Sequence, residues 1–200
     1  MYFDDIFDSC VKDNDAGISD RYKYRIRYYN DNTGYIRLEK KEKLAGRCHK
    51  KSCSLTTSQF EDLLLGDFSK VLWSTDNRVL QEFCVDGLNR GFSPKAIIDY
   101  ERLAFVEPLS NVRITIDRNI SVSDEMDSFL SGEYLKVPIQ EKNKHVLEVK
   151  FDYILPSYIR HAISNECLVQ TSFSNTQFSE ITWEASLAQI LLWVLVPSTQ

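Results

Sequence analysis

The feature that most constrains the fold is a strict alternation of cationic and apolar or aromatic residues near the start of the chain. It covers six consecutive positions, Lys23, Tyr24, Arg25, Ile26, Arg27 and Tyr28. Because side chains two apart on a β-strand share one face of a sheet, a strand here has one cationic face and one apolar face. We expect the apolar face to pack against helices and the three cations to point into whatever the sheet encloses.

Similar alternation recurs along the chain and indicates the fold class. Period-2 patterns rich in Tyr, Ile, Val and Phe predict strands at residues 22–29, 35–43, 95–106, 112–117, 134–137 and 145–151. A turn of Asn, Asp, Thr and Gly at 30–34 predicts that the first two strands form a hairpin. Helical spacing and capping residues predict helices at 58–65, 77–88 and 157–164. Strands joined by hairpins, with helices inserted between them, predict an α+β fold with a mainly antiparallel sheet.

Charge is segregated along a chain of 200 residues whose formal net charge is −5. Residues 21–54 hold eleven basic and three acidic residues, whereas residues 55–200 hold twelve basic and twenty acidic ones. The acidic total argues against a general nucleic-acid coat, which would be strongly basic. One short cationic segment inside an acidic protein instead suits a local site for an anion.

Several classes of site and location are excluded by what the sequence contains. Its five cysteines are an odd number without paired CxxC spacing, so we expect reduced thiols rather than a zinc site or a disulfide framework. The chain opens on acidic residues rather than a signal peptide, and its longest apolar run is too short to span a bilayer, so we expect a cytoplasmic protein. Glycine-rich phosphate loops are absent as well, and any phosphate must therefore be bound mainly by side-chain cations.

The ionisable faces of the predicted strands combine many cations with a few acids. For any single strand, the simpler interpretation is a solvated outer face on a half-buried sheet. Arginine, however, presents a rigid fork that matches phosphate oxygens, and single carboxylates such as Glu39 and Glu148 recur among the cations. Such a mixture suits a site in which Mg²⁺ or Mn²⁺ bridges substrate phosphates. A closed sheet lined in this way is a cationic tunnel for a linear polyanion.

Five stretches of the chain combine charged and apolar residues in a characteristic order, namely residues 23–29, 38–41, 99–102, 111–117 and 146–150. Together they resemble the VTC domain, the polyphosphate polymerase domain of the vacuolar transporter chaperone complex and its bacterial relatives. That family belongs to the triphosphate tunnel metalloenzymes, also called the CYTH-like superfamily. The resemblance covers residues 1–175, and residues 176–200 are interpreted as a divergent C-terminal tail without a separate domain.

The resemblance implies an antiparallel β-barrel forming a triphosphate tunnel with flanking helices. It implies metal-dependent transfer of the terminal phosphate of ATP onto a polyphosphate chain, with Mn²⁺ or Mg²⁺ as cofactor. The implied catalytic residues are Arg25, Arg27, Lys41, Arg102, Arg113 and Glu148. The implied substrate-binding residues are Lys23, Lys51, Tyr100, Lys150 and Ser174. Glu148 is the main expected metal ligand, with Glu39 as a weaker second candidate.

Three departures from the family pattern accompany this resemblance. The family's tunnel begins with one further strand carrying a lysine, and we expect that strand to be missing because residues 1–5 resemble the stretch that follows it. A Ser-Lys pair of the family is replaced by Ser174 and Asn175, and asparagine donates a hydrogen bond to phosphate but supplies no charge. Residues 188–196 lie in the divergent tail and are interpreted either as a helix packing over the barrel or as a contact between copies in a homo-oligomer.

Two alternative functions stay open beside the polymerase. One is a tunnel-type triphosphatase that uses the same groups, and the other is a catalytically inactive module that binds polyphosphate or nucleotide. The missing strand and Asn175 favour the inactive module. We expect ATP and polyphosphate or triphosphate as partners, and we expect neither nucleic acid nor a direct membrane span.

Overall fold

The structure is a computed structural model that describes residues 1–141, 144–152, 154–164, 168–171 and 192–195. Its strands are β1 (Tyr2–Asp4), β2 (Arg21–Tyr29), β3 (Asn32–Leu44), β4 (Arg47–Leu55), β5 (Ser93–Glu107), β6 (Val112–Ser123), β7 (Val137–Pro138), β8 (His145–Lys150), β9 (Leu168–Thr171) and β10 (Leu192–Leu195). Its helices are α1 (Ser9–Asp15), α2 (Thr57–Leu64), α3 (Phe68–Trp73), α4 (Arg78–Arg90) and α5 (Ser157–Ile163). Short 3₁₀ turns follow β5 and β6, at Pro108–Ser110 and Met126–Ser128.

All the strands belong to one antiparallel sheet. Its order is β4-β3-β2-β1-β5-β6-β8-β10-β9, and β7 pairs with the far end of β6. The short strand β1 lies between β2 and β5 and thereby joins the N-terminal hairpin to the rest of the sheet. The predicted α+β fold with an antiparallel sheet and flanking helices is therefore confirmed.

The predicted closure into a barrel is corrected by the strand order. Within the described ranges, the edge strands β4 and β9 do not pair with each other, so the sheet is open. The composition of β4 agrees with an edge position, because its adjacent residues Lys50 and Lys51 point to opposite faces and charged side chains are typical of edge strands.

The main hydrophobic core lies between the N-terminal half of the sheet and helices α2, α3 and α4. Tyr24, Ile26 and Leu38 project from β2 and β3 and are completely buried in it. The ring of Phe83 on α4 packs against Tyr24, with ring centroids 4.8 Å apart. The apolar positions of the alternating stretch therefore face the helices, as the sequence predicted.

A second, smaller core lies under the other half of the sheet. Leu147 and Val149 of β8 and Val112 of β6 bury against Ile159 of α5. Both cores lie on the helix-bearing side of the sheet. The opposite face carries most of the ionisable positions, together with a small apolar cluster around the buried Val146.

The helices follow their sequence signals closely where those signals are strong. Thr56 and Gln59 form a reciprocal capping box at the start of α2. Asn77 caps α4, which ends at Gly91 with a positive φ of 67°. Elements β1, β4, β9, α1 and α3 were not predicted, and β10 is a strand where residues 188–196 were interpreted as a helix. The predicted strand at 134–137 overlaps β7 only at Val137. In the part of the chain that the structure describes, no helix is long and apolar enough to cross a membrane.

Candidate anion-binding site

The face of the sheet opposite the helices carries a continuous group of basic side chains, which we call the cationic face. The strand register places its members side by side. Arg25 of β2 lies opposite Tyr2 on one side and Glu39 on the other. Lys41 lies opposite Lys50 of β4, so the face continues to the edge strand.

Glu39 is the centre of the cationic face on the N-terminal hairpin. Its side chain is only 2% exposed, accepts a hydrogen bond from Arg25 at 2.8 Å and forms ion pairs with Arg27 at 2.6 Å and Lys50 at 2.7 Å. Burial by itself raises the pKa of this carboxyl group, but the surrounding cations outweigh burial and hold the pKa below its usual value. Glu39 therefore stays ionised and holds three cations in one place.

Tyr2 and Tyr100 connect the hairpin with the second half of the face. Arg25 donates a hydrogen bond to the Tyr2 hydroxyl at 3.3 Å. Burial opposes ionisation of that hydroxyl, yet Arg25 and Lys23 together lower its pKa. Burial raises the pKa of Tyr100, which lies in the electrostatic field of both Arg25 and Arg102. The two phenols thus bridge cations that belong to different strands.

The second half of the face is built on β5, β6 and β8. Arg102 forms a bidentate ion pair with Asp117, its register partner on β6. Thr115 lies opposite Glu148 and donates a hydrogen bond to its carboxylate at 3.3 Å. Lys150 contacts the other oxygen of Glu148 at 3.0 Å. The carboxylates are therefore spaced singly among cations, as the alternation predicted.

Lys23 has an unusual electrostatic environment. Burial lowers the pKa of its ammonium group, Tyr2 acts in the opposite direction, and Lys41 and Arg25 again lower it, so that the pKa falls to about 8. A lysine near this pKa changes its charge just above neutral pH. Anion binding at this end of the face is consequently expected to depend on pH.

Most of the predicted site residues come together on this one face. They are Lys23, Arg25, Arg27, Glu39, Lys41, Tyr100, Arg102, Arg113, Glu148 and Lys150. Lys51 lies on the opposite face, where it contacts Glu42 at 3.1 Å and Glu82 at 3.5 Å. Ser174 lies outside the described residues.

Two members of the cationic face were not predicted from the sequence: Lys50 and Tyr2. Alternation along β3 and β6 places Arg37 and Asp117 on the ionisable faces, although neither was among the predicted site residues. Lys50 lies in a strand that was not predicted, so its face was not assigned. Tyr2 belongs to a strand of three residues, which is too short for a pattern.

The two predicted metal ligands differ in their surroundings. Glu39 is engaged by three cations, which would compete with a metal ion for its carboxylate. Glu148 has one hydroxyl and one ammonium neighbour and faces the cations of the sheet. In the described ranges no three His, Cys, Asp or Glu side chains cluster as a metal site. A single carboxylate nevertheless fits Mg²⁺ or Mn²⁺, which are commonly held by one or two carboxylates together with substrate phosphates.

The arrangement as a whole is suited to an extended polyanion. The strand register places eleven basic side chains on this face, namely Arg21, Lys23, Arg25, Arg27, Arg37, Lys41, Lys43, Lys50, Arg102, Arg113 and Lys150, and three carboxylates, namely Glu39, Asp117 and Glu148. Arg113 is exposed, and no acidic partner contacts it within the described part of the chain. Cations on β4, β3 and β2, and beyond β1 on β5, β6 and β8, offer binding sites to successive phosphates rather than to a single small anion.

Comparison with known proteins gives one match. The family model described as the VTC domain matches residues 1–177. No curated protein and no solved structure matches the chain.

Proposed function

Since the chain belongs to the VTC domain family, we propose that its cationic face binds polyphosphate and that the domain transfers the terminal phosphate of ATP onto a polyphosphate chain. Family membership by itself points to a function connected with polyphosphate. The observation that supports the finer proposal is the continuity of the cationic face from β4 to β8. A chain of phosphates lying across these strands meets a basic side chain on each of several successive strands.

The proposed roles follow from position on the face. Arg25, Arg27 and Lys41 bind phosphates on the hairpin half, and Arg102 and Arg113 bind phosphates on the other half. Phosphoryl transfer needs positioning and charge neutralisation more than covalent chemistry, because its transition state spreads negative charge over the peripheral oxygens. Arginine forks donate to those oxygens from fixed directions and are suited to this purpose.

Glu148 is the proposed ligand of the divalent metal. When bound, Mn²⁺ or Mg²⁺ would neutralise phosphate charge and orient the transferring group. Thr115 restricts the Glu148 carboxylate by its hydrogen bond, and Lys150 offers a second positive group beside the same phosphates. Tyr100, between Arg25 and Arg102, can donate its hydroxyl to a phosphate oxygen, since burial keeps it protonated.

A second candidate is an inactive module that binds polyphosphate or nucleotide. It is favoured by the open sheet, because among the described residues no strand pairing closes the site against water. Closed and dry sites strengthen the electrostatic interactions on which catalysis depends. A tunnel-type triphosphatase would use the same residues, with water in place of the growing chain.

Incubation of the protein with ATP and Mn²⁺ distinguishes these functions. Long-chain polyphosphate is expected from the native protein and not from Glu148→Gln, which should still bind inorganic tripolyphosphate. Free phosphate without chain growth would identify a hydrolase instead. Binding without any turnover would identify the inactive module.

Adjacent lysines provide a matched pair for the binding experiment. Lys50→Ala removes a cation of the cationic face, whereas Lys51→Ala removes the neighbouring cation on the helix side. We expect only the first to weaken tripolyphosphate binding. Arg25→Ala and Arg113→Ala should each weaken it by about 2–3 kcal/mol, the strength of a charged hydrogen bond. Unchanged tripolyphosphate binding in both arginine variants would mean that the cationic face is only a solvated surface and not a binding site.

A further inference from the structure

Two exposed tyrosines stand beside the cationic face near the tip of the β2–β3 hairpin. The Tyr29 ring lies over the guanidinium group of Arg27, with 4.5 Å between the ring centroid and the guanidinium carbon. The Tyr35 ring lies over Arg37 at 5.7 Å, and Arg37 also donates to the Tyr35 hydroxyl at 3.2 Å. The two tyrosines are 49% and 48% exposed, so each ring keeps surface available to a ligand.

The two arginines beneath these rings are paired with each other in the sheet. Arg27 and Arg37 are direct register partners, and like charges in that position destabilise a sheet. Each has a buried Nε that finds no hydrogen-bond partner among the described residues. Arg37 donates its other groups to Tyr35 and Ser52, both uncharged. Arg27 is paired with Glu39 at 2.6 Å, whereas no carboxylate among the described residues pairs with Arg37, so an anionic group here would neutralise the Arg37 charge.

A bare phosphate chain would use the arginines but not the aromatic rings. It has no planar group that could lie on a tyrosine, whereas a nucleotide combines phosphates with a planar base. Base–aromatic stacking is tolerant of base identity because every base has a π-face. A tyrosine held over a guanidinium group is also fixed in orientation, so little side-chain freedom is lost when a base stacks on it.

We propose that Tyr29 and Tyr35 form a stacking platform for the nucleobase of a nucleoside triphosphate whose phosphates lie on Arg27 and Arg37. The inference rests on the proposed function and adds to it a means of distinguishing nucleotide from inorganic polyphosphate. The platform lies where β2 and β3 meet their turn, at one end of the cationic face. The phosphate chain of the nucleotide then runs from the tip of the hairpin toward Arg25 and Glu39.

Calorimetric titration of ATP and of inorganic tripolyphosphate, in the same Mn²⁺ buffer, tests the platform. The double variant Tyr29→Ala/Tyr35→Ala should bind ATP at least about tenfold more weakly, the effect of losing one or two stacking contacts. Its affinity for tripolyphosphate should remain unchanged. Tyr29→Phe/Tyr35→Phe keeps the rings and should bind ATP as the native protein does. Trp73→Ala, which removes an exposed aromatic ring on the helix side, is the matched control.

Each outcome distinguishes the platform from the function on which it rests. If the alanine variant binds both ligands more weakly by the same factor, the rings only position the arginines and the platform is wrong. If its affinity for both ligands is unchanged, the platform is wrong and the proposal of polyphosphate binding is unaffected. If the native protein binds neither ATP nor tripolyphosphate, the proposed function fails together with the platform. Selective loss of ATP affinity, with unchanged affinity in the Trp73 variant, supports the platform.

Discussion

Replacement of Glu39 by glutamine should lower the stability of the protein and, at the same time, increase its response to a polyanion. Glu39 is buried and ionised, and Arg25, Arg27 and Lys50 all contact it. Glutamine has a similar shape but no charge, so the three cations would be left without their shared partner. A polyphosphate ligand could then take the place of the missing carboxylate.

The expected loss of stability follows from the exposure of the four groups. Removing one partner of a fully buried ion pair costs about 3–5 kcal/mol. The three cations keep 29%, 21% and 53% of their side-chain exposure and are partly screened by water. We therefore expect Glu39→Gln to lower the free energy of unfolding by about 2–3 kcal/mol.

Tripolyphosphate should restore part of this loss. Each cation released from Glu39 can form a charged hydrogen bond to a phosphate oxygen, and one such bond contributes about 1.5–3 kcal/mol. A ligand that binds only the folded state stabilises it in proportion to its affinity. At saturating tripolyphosphate, the difference in the free energy of unfolding between the native protein and Glu39→Gln should narrow by at least about 1.5 kcal/mol.

Urea denaturation with and without tripolyphosphate measures both effects, and Glu42→Gln is the matched control. Glu42 is also buried and contacts Lys51 at 3.1 Å, but it lies on the helix side of the same strand. Its variant should be destabilised without any gain in the response to tripolyphosphate. If the ligand stabilises both glutamine variants by the same amount as the native protein, the assignment of Glu39 to an anion-binding face is refuted.

Three further substitutions test other parts of the structure. The affinity for tripolyphosphate should fall as pH rises through 8, because Lys23 loses its charge there. Lys23→Met should bind tripolyphosphate more weakly, and titrations at pH 7 and 9 should not show this fall in affinity for the variant. Gly87→Ala should lower the free energy of unfolding in urea by about 1–3 kcal/mol, because a new Cβ would lie 2.7 Å from the Phe68 ring. Burial raises the pKa of Asp5, but hydrogen bonds from Ser9 and Arg90 outweigh it and lower the pKa from 3.8 to about 2. The stability that ionised Asp5 contributes is present above pH 3.8 and is lost as pH falls toward 2. In thermal melts, the melting temperature of Asp5→Asn should therefore fall less over this pH range than that of the native protein.

The hairpin and the helix-facing core were predictable because the sequence repeats a simple period there. Tyr24 and Ile26 alternate with Arg25 and Arg27, and one buried side determines the whole register of the strand. The helices with strong caps were predictable for a similar local reason. Thr56 and Asn77 each satisfy backbone donors within the next three residues, which needs no tertiary information.

The edge of the cationic face was not predictable, because it depends on pairing between strands. The resemblance implied Lys51, whereas the register places its neighbour Lys50 opposite Lys41, where it contacts Glu39. The signal within β4 is weak, because the buried Cys53 and Leu55 share a face with Lys51 but the strand was too polar to be predicted. Barrel closure was likewise inferred from resemblance, and closure depends on long-range pairing that alternation cannot specify.

The alternation of core and ligand-binding positions also restricts how such a domain can change its length. Leu38 and Glu39, or Leu147 and Glu148, are neighbours in the chain but lie on opposite faces. One inserted or deleted residue inside these strands would expose the core and bury the charges in a single event. Substitutions can alter either face by itself, whereas insertions and deletions are confined to turns. We therefore expect homologous chains to differ in length between their strands and to keep strand spacing within them.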